Sequence, residues 1–84
     1  MKHAGAATLD QLEPLLEKLR KIPGLVERKR GIFYRGATAF LHFHEDPAGI
    51  FVDIRAADGK DFDRLKLDAA VEAELLTRVK TVVA

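Results

Sequence analysis

The sequence predicts an α+β fold: a two-layer sandwich in which an N-terminal and a C-terminal helix cover one face of an antiparallel β-meander of three to four strands. Three observations support this fold class. Leucines recur at helical spacing near the start, two tight-turn signals separate short β-rich segments in the middle, and a second apolar stripe at helical spacing closes the chain. The predicted order is α-β-β-β-(β)-α. With 84 residues, the chain makes a single domain over 1–84.

The first helix is predicted from four leucines at helical spacing: Leu9, Leu12, Leu16 and Leu19. Residues 1–7 precede this stripe and are expected to be frayed. Pro14 is tolerated only in the first turn of a helix, so either Asp10 caps the helix or the helix bends near its start. Pro23 and Gly24 end it.

The strands are predicted from the turns between them. Gly36 begins a two-residue turn of type II′, which needs a positive φ at that position, and residues 46–49 have the residue types of a type I turn. The turns separate strands at about 31–35, 38–45 and 50–56, and a shorter fourth strand is predicted at 62–67. Residues 25–29 are expected to link the first helix to the sheet. Asp68 is predicted to cap the second helix.

Closing both turns assigns a face to each strand residue, because side chains alternate along a strand and directly opposed residues share a face. Phe33 is predicted to oppose Phe40, and His42 to oppose Asp53. The core face is predicted to hold Ile32, Tyr34, Ala39, Leu41, Phe43, Ile50, Val52 and Ile54. The face that points away from the helices, here called the outer face, is predicted to hold Phe33, Arg35, Thr38, Phe40, His42, His44, Phe51, Asp53 and Arg55.

Three phenylalanines on the outer face point to an interaction surface. Phe33, Phe40 and Phe51 are predicted to form an apolar patch bordered by Arg and His, and patches of this kind mark interfaces when they are large enough. The leading hypothesis is therefore a non-catalytic binding or interaction module that pairs with a second copy or with another protein. The alternative is that these rings are covered by the second helix or are isolated exposed aromatics, which need no function.

A metal site is a further hypothesis for the same face. His42 and His44 are separated by one residue on a strand, so both imidazoles point the same way, and Asp53 is predicted to stand opposite His42. Two imidazoles and a carboxylate form a ligand set that zinc and non-haem iron accept. The alternative is a His42–Asp53 ion pair or hydrogen bond beside a structural histidine. Apart from this hypothesis, no cofactor is expected.

A basic segment supports nucleic-acid binding as the alternative function. Arg28, Lys29 and Arg30 precede the first predicted strand, close to Phe33 and Phe40, and aromatics on a sheet can stack bases while basic side chains hold phosphates. Residues 1–44 carry a net charge of +4 and residues 45–84 a net charge of −3. The sequence pI of about 8.1 is below the range typical of such domains.

Several other classes are not expected from the composition. The chain has no serine and no cysteine, so the usual nucleophiles of covalent catalysis are missing and we expect no enzyme. It has no glycine-rich phosphate loop. No apolar run approaches the ~20 residues of a membrane span, and residues 1–7 lack the apolar core of a signal peptide. We therefore expect a cytoplasmic protein without a membrane partner.

Several segments of the sequence resemble a known family. The runs 30–36 and 41–43, followed by the extended segment 51–53 and an acidic turn, resemble the MmcQ/YjbR-like superfamily of small bacterial α+β proteins, most of them uncharacterised. The resemblance covers roughly residues 25–67. The family fold has been compared with double-wing DNA-binding and frataxin-like domains, so the resemblance implies an α+β fold and, by analogy of fold alone, DNA binding. It assigns no functional residue.

Overall fold

The computed structural model describes residues 1–83 and confirms the α+β class, with a helix at each end of an antiparallel sheet. In chain order the elements are β1 (Lys2–His3), α1 (Ala6–Arg20), β2 (Val26–Lys29), β3 (Ile32–Arg35), β4 (Thr38–Asp46), β5 (Gly49–Arg55), β6 (Phe62–Lys66) and α2 (Ala69–Val83). Strands β2 to β6 form a meander in the order β2-β3-β4-β5-β6. Strand β1 pairs with β4, so the sheet has six strands in all.

The strand count exceeds the prediction in two places. The segment expected to link helix and sheet forms β2, because Arg30 and Gly31 make a tight turn that lets Lys29 pair with Ile32. Gly31 adopts a φ of 80°, which L side chains rarely adopt. The N-terminal residues expected to be frayed include β1, in which His3 pairs with His44 beyond the end of β3.

Only the second helix begins with a side-chain cap, and that cap is the predicted one. Asp68 caps α2, because its Oδ1 accepts a hydrogen bond from the Val71 amide at 2.8 Å. The first helix begins at Ala6, with Gly5 as its N-cap residue, so Asp10 does not cap it. Pro14 therefore lies inside the helix, where it cannot donate a backbone hydrogen bond.

The core lies between the two helices and one face of the sheet. Its buried residues come from α1, the loop after it, strands β3 to β5 and α2, namely Leu9, Leu12, Leu15, Leu16, Leu19, Ile22, Leu25, Phe33, Phe40, Leu41, Phe43, Val52, Ile54, Leu75 and Val79. The β4–β5 register is the predicted one, since His42 pairs with Asp53 and Phe43 with Val52. Along the paired residues 41–46 and 49–54, this register puts Leu41, Phe43, Val52 and Ile54 in the core and His42, His44 and Asp53 on the opposite face, as predicted.

A β-bulge makes the predicted register of the first hairpin wrong. Tyr34 opposes Ala39 as predicted, but the next residue, Phe33, opposes Leu41. Phe40 is thus an extra residue on β4, and both Phe40 and Leu41 are buried in the core. Phe33 and Phe40 both pack in the hydrophobic core, so their assignment to the outer face is wrong.

The bulge also moves residues out of the predicted core. Ile32 opposes His42 and so shares the outer face with it. Tyr34 and Ala39 are only half-buried and, like Ile32, do not belong to the core cluster. One inserted residue on β4 thus moves the side chains of β3 to the opposite face from the one predicted, because side chains alternate between faces along a strand.

Candidate metal centre

The centre of the outer face carries three histidines and a carboxylate, His3, His42, His44 and Asp53, here called the histidine cluster, and ligand atoms of His42, His44 and Asp53 lie close enough together to hold a metal ion. Alternation along β4 places His42 and His44 on the same face. Asp53 lies directly opposite His42 on β5, and His3 lies directly opposite His44 on β1. All three histidines of the chain therefore meet at one point of the sheet.

Asp53 lies between the two histidines of β4. Its Oδ2 is 3.1 Å from Nε2 of His44 and 3.4 Å from Nε2 of His42. One ligand atom from each of the three residues can be chosen so that all lie within 4.8 Å of one another. The geometry thus brings together the three residues that the sequence predicted as a metal site.

Two members of the histidine cluster are buried although both helices lie on the other side of the sheet, whereas His42 is half-buried and His3 is exposed. The exposed fraction is 6% for Asp53 and 9% for His44. Part of the cover is the Phe62 ring, whose centroid lies 5.0 Å from that of His42. Neither ring nitrogen of His44 is in hydrogen-bond geometry with any of residues 1–83. Buried polar atoms of this kind are rare in folded proteins and need an explanation.

Arg64 holds the carboxylate of Asp53 from the neighbouring strand. Its Nε donates to Oδ1 at 2.7 Å and its Nη2 donates to Oδ2 at 2.8 Å. This bidentate pair holds the pKa of Asp53 below its usual range, so the side chain is a carboxylate at neutral pH. Burial, followed by the nearby His44, lowers the pKa of His42, which favours its neutral imidazole. A carboxylate and a neutral imidazole are the forms that bind metal ions.

Three residues of this region were not among the predicted site residues. Arg64 and Phe62 lie on β6, where Arg64 opposes Asp53 and Phe62 opposes Arg55. That strand was predicted but its register was not. Treating Asp58 and Gly59 as a two-residue turn pairs Arg55 with Phe62 and Asp53 with Arg64, which would have placed both residues on the outer face. His3 had no comparable signal, because its segment was expected to be frayed.

The other predicted outer-face residues lie around the cluster or away from it. Phe51 is half-buried on the outer face, opposite His44 and Lys66. The Arg55 guanidinium lies 4.6 Å from the centre of the Phe62 ring, and its Nε donates to the Ala39 carbonyl at 2.7 Å. The predicted patch of three phenylalanines therefore does not form on this face.

Three more of the predicted outer-face residues line a cavity of about 600 Å³ near the end of α2. Arg35, Phe40 and Arg55 line it together with Arg78. Arg78 Nη2 donates to Asp63 Oδ2 at 2.6 Å. The side chain of Phe40 thus faces α2 rather than the open side of the sheet.

Two of the three residues of the basic segment already have partners on the protein surface. The Arg28 guanidinium lies 4.5 Å from the centre of the Tyr34 ring. Arg30 forms ion pairs of 2.9 Å with Asp10 and with Glu13. Lys29 is exposed. Nucleic-acid binding through this segment stays a prediction, with much of the charge of Arg30 balanced locally.

Comparison of the chain with protein-family models, with curated proteins and with solved structures finds no match in any of the three. The resemblance to the MmcQ/YjbR-like superfamily therefore stays a prediction. No helix within residues 1–83 combines the length and the apolar character needed to cross a membrane.

Proposed function

We propose that this protein is a non-catalytic binding module whose outer sheet face holds a divalent transition-metal ion, with zinc as the best fit. His42, His44 and Asp53 are the proposed ligands. The observation that carries the proposal is the convergence of His42 and His44 on the buried carboxylate of Asp53, where His44 Nδ1 is buried without a hydrogen-bond partner among residues 1–83 and His44 Nε2 lies 3.1 Å from Asp53 Oδ2 outside hydrogen-bond geometry. Imidazole and carboxylate ligands suit zinc.

Two of the three distances between the proposed ligand atoms match those of a tetrahedral ion. Zinc binds nitrogen and oxygen at about 2.0–2.2 Å, so two ligands of a tetrahedral ion lie roughly 3.3–3.5 Å apart. Asp53 Oδ2 lies 3.1 and 3.4 Å from the Nε2 atoms of His44 and His42. The three ligand atoms lie within 4.8 Å of one another, so the two imidazole nitrogens would approach each other when an ion binds.

Arg64 has two opposing effects on such an ion. Its hydrogen bonds fix the orientation of the Asp53 carboxylate, as outer-shell partners of metal ligands commonly do. Its positive charge lies close to the proposed cation and repels it. The Arg64 side chain is 48% exposed, so it has room to turn toward solvent when an ion binds. Replacing Arg64 by Gln keeps a hydrogen-bond donor and removes the charge.

Isothermal titration calorimetry with zinc tests the proposal. The wild-type protein is expected to bind one ion per chain with a Kd of about 10 µM or lower, which corresponds to about 7 kcal/mol or more. His44→Gln and Asp53→Asn, which preserve side-chain size approximately, are each expected to weaken binding at least tenfold. Arg64→Gln is expected to preserve or strengthen it.

A matched control separates loss of a ligand from loss of a charge. Asp63→Asn removes a carboxylate from the strand beside Asp53, but Asp63 pairs with Arg78 and does not belong to the cluster. Its zinc affinity is expected to equal that of the wild type. The proposal is overturned by a wild-type Kd weaker than about 10 µM, or by a His44→Gln variant that binds zinc as well as Asp63→Asn does.

A further inference from the structure

We infer that His3 is a fourth ligand of the same ion, so that metal binding fastens the N-terminal strand β1 onto the sheet. The inference rests on the proposed function, because it requires an ion at His42, His44 and Asp53. It adds a ligand from a part of the chain that is otherwise held weakly. A fourth protein ligand also means that the ion is coordinated only by the protein and has no position open to solvent.

The position of His3 is set by strand pairing. His3 and His44 are direct cross-strand partners, and directly opposed residues share a face with their Cβ atoms about 4.5–5.5 Å apart. The centroid of the His3 ring lies 4.7 Å from that of His44 and 5.6 Å from that of His42. The His3 ring therefore lies beside the two proposed imidazole ligands, on the face where Asp53 Oδ2 contacts His42 and His44.

Strand β1 has few contacts that would hold it without an ion. It consists of two exposed residues. Beyond its short ladder, the Ala4 amide donates to the Phe43 carbonyl at 3.1 Å, and the Gly5 amide donates to Glu45 Oε1. Lys2 Nζ lies 3.8 Å from Glu45 and the Met1 ammonium lies 3.8 Å from Asp46, but ion pairs near the surface stabilise a fold only slightly. Segments with so little buried surface open readily in folded proteins.

Coordination chemistry gives His3 a distinct role. Structural zinc sites use four protein ligands, whereas three protein ligands leave a position for water or another molecule. With His3 bound, three imidazoles and one carboxylate complete a tetrahedral shell. When β1 is released, the ion retains His42, His44 and Asp53 and gains an open position. His3 thus determines the coordination number of the ion, and the ion in turn stabilises the pairing of β1 with β4.

Two measurements on the chain without an added N-terminal tag test this inference. Calorimetry is expected to show that His3→Ala weakens zinc binding at least tenfold but does not abolish it, because three ligands remain. Lys2→Ala is the matched control, since it removes the neighbouring side chain of the same strand and is expected to leave the affinity unchanged. Hydrogen exchange is then followed at the Ala4 and Gly5 amides with and without zinc.

In the wild type, zinc is expected to slow exchange of these two amides at least tenfold. In His3→Ala, saturated with zinc, the exchange rates of both amides are expected to stay at their zinc-free values. Equal zinc affinity in His3→Ala and Lys2→Ala would overturn the inference and leave the three-ligand site standing. So would slowed exchange that persists in His3→Ala. Absence of zinc binding in the wild type would instead overturn the proposed function itself.

Discussion

The bulge at Phe40 can be tested by replacing two adjacent residues of β3, Phe33 and Tyr34, by leucine. The bulge buries Phe33 completely, while Tyr34 is half-buried on the other side. Phe33→Leu removes three carbon atoms from the core, and at ~0.8 kcal/mol for each buried carbon it is expected to cost about 2–3 kcal/mol. Tyr34→Leu loses mainly the stacked guanidinium of Arg28, which contributes about 0.5–1 kcal/mol.

Urea unfolding and thermal unfolding, both followed by circular dichroism, measure the two variants. Tyrosine fluorescence is not used, since Tyr34 is the only tyrosine and its signal would be lost in Tyr34→Leu. Phe33→Leu is expected to lower the unfolding midpoint at a constant slope, with a fall in Tm of roughly 8–24 °C for a domain of this size. Tyr34→Leu is expected to lower Tm by less than about 8 °C. A larger loss of stability in Tyr34→Leu than in Phe33→Leu would refute the bulged register and restore the regular one.

Two further outcomes are expected. Phe40→Asp should prevent folding, because losing the buried ring costs about 3–5 kcal/mol and burying a charge costs more, whereas the total free energy of unfolding is roughly 4–13 kcal/mol. Thr38→Asp, an exposed change on the same strand, should fold. A Phe40→Asp protein that circular dichroism shows to be folded would contradict the placement of Phe40 in the core. Hydrogen bonds, first from Arg20 and then from Arg30, lower the pKa of Glu13 from an ordinary 4.5 to about 2. The ionised Glu13 side chain therefore contributes its full stabilisation above about pH 4.5, and this stabilisation is lost as the pH falls through about 2. Urea unfolding between about pH 2 and 7 should therefore show a smaller acid-side loss of stability in Glu13→Gln than in the wild type, and identical profiles would contradict the ion pairs.

The second hairpin was predictable from the sequence because its turn chemistry and its hydrophobic pattern agree. Asp46 pairs with Gly49 across the turn, and the side chain of Asp46 accepts a hydrogen bond from the Ala48 amide at 3.1 Å. With the turn in place, alternation puts His42 opposite Asp53 without further assumptions. The metal-ligand hypothesis depended only on this register and on the spacing of His42 and His44.

The first hairpin was only partly predictable, because no residue type at this point of the sequence signals a β-bulge. Gly36 adopts a φ of 63°, and Arg35 pairs with Thr38, as the turn predicts. Beyond the turn, Phe40 and Leu41 are adjacent apolar residues, and either could have faced the core. Packing against α1 and α2 decides that both do, so the register depends on contacts distant in sequence.

The N-terminal strand could not be predicted, because two exposed residues carry neither periodicity nor apolar character. Its pairing depends on the long β4, which extends past the end of β3 and leaves backbone groups of residues 43–45 free to pair with another segment. Without β1 the candidate site has two histidines. With it, the site has three, and this changes the range of metal chemistry that the face can support.

The central claim is that one metal ion binds among His42, His44 and Asp53. The most direct test is a crystal structure of the protein grown with one equivalent of zinc, with diffraction measured on both sides of the zinc absorption edge. We predict a single anomalous peak on the outer face, about 2.0–2.2 Å from Nε2 of His42, Nε2 of His44 and Oδ2 of Asp53. A map with no anomalous peak at this position, with the Asp53 carboxylate still paired to Arg64 and no metal contact to either histidine, would contradict the account.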